Sequence, residues 1–123
     1  MTILAPYQQT PEGRAAVHRA VAEARLRDTD LMVLTAPAHA GGDAVHEVPE
    51  LAAAADDVRV TVRVAVRADD LAGEIVDLAS ELDAEMIVIG MRRRSPVGKL
   101  FLGSTAQDVL LNASVPVLTV RVP

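Results

Sequence analysis

Short, almost wholly aliphatic runs recur along this chain, and stretches with helical spacing separate them. That alternation constrains the fold more than any other feature. Thr2 to Pro6, Leu31 to Ala36, Met86 to Ile89 and Val117 to Val122 are each long enough for one buried strand and too short for a helix. Between the first two runs, Thr10-Pro11-Glu12 reads as a helix start, with Thr10 as cap, Pro11 in the first turn and a carboxylate near the positive end. Ala16, Val17, Ala20, Val21 and Ala24 follow at helical spacing to about Arg27. After the second run, Pro37 to Glu47 reads as loop and Val48 to Asp56 has room for one short helix. Further on, Asp69 or Asp70 caps a helix striped by Leu71, Ile75, Leu78, Ala79 and Leu82, and Ser104 caps a last helix carrying Val109 and Leu110.

One strand differs from the rest. Residues 58–67 read V-R-V-T-V-R-V-A-V-R, which puts five valines on one face and Arg59, Thr61 and Arg63 on the other. A strand wet on one face belongs at a sheet edge. The element order βαβ(α)βαβαβ therefore predicts an α/β fold, a doubly wound five-stranded parallel sheet with helices on both faces. The strand order 3-2-1-4-5 places the valine strand at an edge. Topology then reverses between the first and fourth strands, and ligands in such sheets sit at the carboxyl ends beside the reversal. Half of the residues are apolar but only Tyr7 and Phe101 are aromatic, so the core is aliphatic, as in parallel sheets covered on both sides.

Two loops meet at that reversal. After the first strand comes "APYQQTP", residues 5 to 11, and after the fourth comes the middle of "VIGMRRRSPVGKLFLGSTAQDVLL", residues 88 to 111. The second loop holds Arg92, Arg93, Arg94 and Lys99. It lies in a stretch from Met86 to Gln107 without one Asp or Glu, in a chain carrying 17 of them. Gly90 ends a buried strand, where a missing β-carbon lets the backbone turn sharply or approach a ligand. Gly103-Ser104-Thr105 opens a helix whose free amides and hydroxyls form an anion cradle, and the basic side chains add charge-assisted bonds to phosphate. Gly98-Lys99-Leu100 does not make a Walker A loop, and "GMRRRS" is not a dinucleotide glycine pattern. His18, His39 and His46 lack metal-ligand spacing, and no serine has the context of an activated nucleophile.

The totals narrow the function classes. A chain of 123 residues suits one domain, residues 1–123, and buries roughly two-thirds of its unfolded surface. A net charge of −5 argues against nucleic acid as a partner. No cysteine is present for a disulfide or thiolate site, and no apolar run approaches the ~20 residues of a membrane span. With no leader-like segment at its start, the chain reads as a soluble cytoplasmic protein.

The segment "IVIGMRRRSPVGKLFLGSTAQDVLLNASVPVLTV" resembles the C-terminal signature of the universal stress protein family. Gly90, Gly103-Ser104 and Pro116-Val117-Leu118 fit that signature, while "ILAP", "LMVLTA" and "ADDLAGEIVDLASELDAEMIVIG" fall in family order. The resemblance implies a cytoplasmic stress-response protein with an adenine nucleotide α-hydrolase-like fold. It also implies a homodimer joined through the last strand, Val117–Val122, and an adenine nucleotide (ATP, ADP or AMP) at the switch point without efficient hydrolysis. Carried over by position, adenine lies near the backbone of Ala5, Pro6, Tyr7 and Gln8 and of Ala36. Phosphates meet Arg93, Arg94, Gly103, Ser104 and Thr105, and Gly90, Met91 and Arg92 line the ribose side. Two positions depart from nucleotide-binding relatives. Arg93 replaces a glycine, at a cost of about 1–2 kcal/mol if the position needs positive φ, and Gln8 replaces an aspartate. No metal is expected from protein ligands, since neither loop holds a carboxylate. The short middle region implies a reduced lid over the base. The alternative is a homodimeric protein-interaction module that has lost the nucleotide.

Overall fold

The computed structural model describes residues 1–35, 57–67, 69–93, 100–101 and 103–122. In chain order they form β1 (Thr2–Tyr7), α1 (Pro11–Arg27), β2 (Asp30–Thr35), β3 (Val60–Val64), α2 (Leu71–Glu81), β4 (Met86–Arg93), β5 (Leu100–Phe101), α3 (Ser104–Asn112) and β6 (Val117–Val122). The expected loop and short helix between residues 36 and 56 lie outside the described residues, as does the reduced lid.

Five strands run parallel in the order β3-β2-β1-β4-β6, which is the expected 3-2-1-4-5 with β6 as the fifth parallel strand. Period-two alternation buries both faces of this sheet. Ile3, Ala5 and Tyr7 of β1, with Val33 and Val88, pack under Ala16, Val17, Ala20 and Ala24 of α1. On the other face Leu4, Leu34, Ile87 and Ile89 meet Ile75, Leu78 and Ala79 of α2 and Val109 of α3. Fully burying each of the valine, leucine and isoleucine side chains contributes about 1.5–3 kcal/mol, so two packed layers are the main source of stability.

Local chemistry sets the helix ends. Thr10 Oγ1 accepts from Gly13 N–H at 3.0 Å and Asp70 Oδ1 from Gly73 N–H at 3.1 Å, so both expected caps are in place. Arg27 donates to Glu85 at 3.0 Å and also reaches Glu23, which ties the end of α1 to the turn before β4. The bond to Glu85, and secondarily that to Glu23, raises the Arg27 pKa from its ordinary value.

Register explains where the sheet opens. β1 pairs with β2 from Thr2↔Asp30 to Tyr7↔Thr35, yet with β4 only at Ile3↔Met86 and Leu4↔Ile87. Beyond Leu4 the two central strands part. β4 continues, paired on one flank with β6 from Ile87↔Val117 to Arg92↔Val122. Beyond the parting it also pairs antiparallel with β5 through Arg92↔Phe101 and Arg93↔Leu100.

Three expectations need correction. The valine strand ends at Val64 rather than running over residues 58–67, because a buried carboxylate captures the chain there. Glu74 of α2 accepts the backbone N–H of Val66 at 2.9 Å and of Arg67 at 2.6 Å. The alternation then reverses: Ala65 is buried while Val66 is 82% exposed. The fourth strand does not stop at Ile89 but runs to Arg93, since β5 and β6 supply backbone partners. The N-cap of α3 is Gly103, not Ser104, and it makes no side-chain cap bond.

Candidate functional site

The parting of β1 and β4 opens a cavity of about 330 Å³ at the carboxyl ends of the strands. Pro6, Tyr7 and Gln8 form one wall, Gly90, Met91 and Arg92 a second, and Gly103, Ser104 and Thr105 a third. Leu34, Leu71 and Ile75 add apolar lining. The cavity thus gathers nine of the thirteen residues expected from sequence. Ala5 is fully buried beneath it, in the core under α1. Arg93 closes β4. Ala36 and Arg94 lie outside the described residues.

Gly90 has a different reason from the one expected. It sits inside β4, in register with Val120, and does not end the strand. A β-carbon there would stand 2.0 Å from the carbonyl oxygen of Glu12 and 2.6 Å from its carbonyl carbon. The missing side chain seats the first turn of α1 directly on β4, which brings the loop after β1 against the cavity.

At the third wall the helix geometry supplies backbone amides. Gly103 takes φ −61 and ψ 161, ordinary extended geometry, and a β-carbon there would meet nothing within 4 Å. With no capping side chain and no acidic residue in its first turn, α3 presents the amides of Ser104, Thr105 and Ala106 at its positive end. An anion is the complementary ligand.

The condition for strain at Arg93, a positive φ, is not met. Arg93 continues β4 in its pairing with Leu100, and positive φ at non-glycine residues is confined, among the described residues, to Asp28 and Asp83.

Of the cavity residues that the sequence reading did not name as site residues, Thr10, Glu12 and Gly13 lie together at the start of α1. Glu12 was legible only as a first-turn carboxylate, although its position directly after the loop following β1 was the available signal. It is the one acidic residue on the cavity among the described residues, and Arg92 is the one basic residue. Arg92 Nη1 stands 4.0 Å from Glu12 Oε1, too long for a hydrogen bond, and the Arg92 side chain is exposed. Such a pair contributes at most about 1 kcal/mol. Among the described residues no group of three or more His, Cys, Asp or Glu is placed to hold a metal ion.

Comparison with known proteins decides the relationship. The model of the universal stress protein family matches residues 1–121. The chain belongs to the universal stress protein family. A universal stress protein of Mycolicibacterium smegmatis is 40% identical over 128 residues, covering 97% of this chain and 96% of its own. Among solved structures, a universal stress protein from Archaeoglobus fulgidus superposes with TM-score 0.74 at 32% identity, over 97% of each chain. A universal stress protein from Archaeoglobus fulgidus in complex with dAMP superposes with TM-score 0.68 at 26% identity, over 97% of this chain and 96% of its own. In this universal stress protein, no helix among the described residues is long and apolar enough to cross a membrane.

Proposed function

We propose that this universal stress protein is a single-domain, cytoplasmic regulatory protein that binds an adenine nucleotide at the parting of β1 and β4. The phosphate rests on the first turn of α3, Gly103-Ser104-Thr105, with Arg92, Arg93 and Arg94 as its cations. The nucleoside lies against Pro6, Tyr7 and Gln8, with Ala5 beneath them and Gly90, Met91 and Ala36 around it. The observation that carries this reading is the N-terminus of α3, without a capping side chain, opening into a cavity walled by Pro6–Gln8 and Gly90–Arg92. The dAMP complex of a relative at 26% identity supports the ligand class. Efficient hydrolysis is not part of the proposal, because among the described residues no cluster of carboxylates is placed to fix a metal and a water.

The test is thermal unfolding against AMP, ADP, ATP and cyclic AMP, with and without Mg²⁺. A nucleotide at ~100 times its dissociation constant adds about 2.7 kcal/mol, a shift of several degrees. Gly103→Asp locates the phosphate. The backbone at 103 admits aspartate, its β-carbon has open space, and its carboxylate caps the free amides of α3. The variant should gain about 0.5 kcal/mol in the absence of ligand and lose AMP affinity tenfold or more. An undiminished AMP shift in this variant would place the phosphate elsewhere. No shift with any nucleotide would favour the interaction module that has lost its ligand.

We also propose a homodimer through β6. Its outer edge pairs with no strand among the described residues, Leu118, Val120 and Val122 are half-buried, and Leu111 on the preceding helix is 81% exposed. An open edge of this kind accepts a second strand. Sedimentation at micromolar concentration should give twice the 13.0 kDa chain mass, and a single monomer species would exclude it.

A further inference from the structure

We infer that Glu12 is a charge filter, which restricts the site to nucleotides of low negative charge: monophosphates and cyclic phosphodiesters rather than polyphosphates. The inference rests on the nucleotide reading above and specifies its ligand.

Three observations carry it. Glu12 is the one acidic residue on the cavity among the described residues, and it offsets the charge of Arg92, the one basic residue there. Their separation of 4.0 Å is a weak contact, and the Arg92 side chain is exposed, so the guanidinium neutralises the carboxylate poorly. The second oxygen, Glu12 Oε2, is enclosed and accepts no hydrogen bond from the described residues. Donors and water are what normally disperse a carboxylate's field. No donor among the described residues reaches that oxygen, so the protein does little there to disperse its charge.

Glu12 cannot easily move away. Its backbone is pinned, since β4 approaches so closely at Gly90 that no β-carbon fits between them. A ligand with one phosphate satisfies the amides of α3 and gains from Arg92. Each further phosphate adds charge that those amides no longer meet and that Glu12 repels. At the effective dielectric of a partly buried site, a charge several ångströms away changes affinity by roughly fivefold per added ligand charge.

The experiment measures dissociation constants of AMP, ADP and ATP without Mg²⁺ by calorimetry, for the wild-type chain and for Glu12→Gln, which keeps shape and removes charge. The wild type should prefer AMP over ATP by roughly tenfold or more. Glu12→Gln should gain affinity in the order ATP, then ADP, then AMP, and its preference for AMP should shrink by a similar factor. Raising salt should narrow the AMP–ATP gap in the wild type more than in the variant. Equal changes for all three ligands would overturn the filter and leave Glu12 a structural role. Weaker binding of all three would overturn it too, by making Glu12 an acceptor for the ligand. Unfolding of the unliganded variant checks that the fold is unchanged. If the wild type binds none of the three, the nucleotide reading itself fails. If it binds all three with equal affinity, only the filter fails.

Discussion

Gly90→Ala is expected to destabilise the folded chain by about 3 kcal/mol and to lower its unfolding midpoint by roughly 10 °C. Overpacked cores usually cost about 1–3 kcal/mol, since side chains rotate or neighbours shift. Here the upper end applies. The new methyl would stand 2.0 Å from a backbone oxygen in the first turn of α1, and a backbone atom has no rotamer to escape into. Relief requires α1 to back away from β4, and α1 packs on β1, β2 and β6 as well. The same retreat would widen the cavity, so nucleotide stabilisation should fall even below the unfolding midpoint. Chemical denaturation with and without AMP measures both effects. A loss under about 1 kcal/mol would mean that α1 slides freely on β4, contrary to the packing described.

Glu74→Ala should cost about 2–3 kcal/mol, though the residue touches neither α1 nor the cavity. Its carboxylate is buried and accepts the backbone N–H groups of both Val66 and Arg67. Leaving a buried donor unmade costs about 1–3 kcal/mol, and part of that is recovered by water because Val66 is exposed. Alanine also takes away the acceptor that ends β3 and aims the chain into α2. Amide hydrogen exchange gives the specific reading: Val66 and Arg67 should lose protection while β1 and β4 keep theirs. Glu74→Gln retains one acceptor oxygen and should restore part of the stability. Unchanged protection at both amides would show that the loop is held by something else.

Much of the architecture was legible because hydrophobic periodicity reports directly on burial. β1, β2, β4 and β6 announced themselves as aliphatic runs, and the stripe of Leu71, Ile75 and Leu78 announced α2. The end of β3 was not legible, since the valine alternation continues through Val66 while a carboxylate eight residues later decides where the chain turns. Backbone pairing misled in the other direction at β4, where Gly90 reads locally as a stop but packs against Glu12 inside a continuing strand. The site shows the same division. Its loops follow from topology, so Pro6 to Gln8 and Gly103 to Thr105 could be named in advance. Glu12 could not be recognised as a cavity residue, because its placement depends on how closely α1 seats against β4.

The cavity draws its chemistry very unevenly from the chain. Among the described residues, every polar, charged or glycine position on it comes from two contiguous blocks, residues 6–13 and residues 89–109. Among the described residues of the long interval between them, Leu34, Leu71 and Ile75 reach the cavity, and they serve as grease. Among the described residues, a substitution in either block therefore alters the polar surface of the cavity directly, whereas one at Leu34, Leu71 or Ile75 acts on its shape.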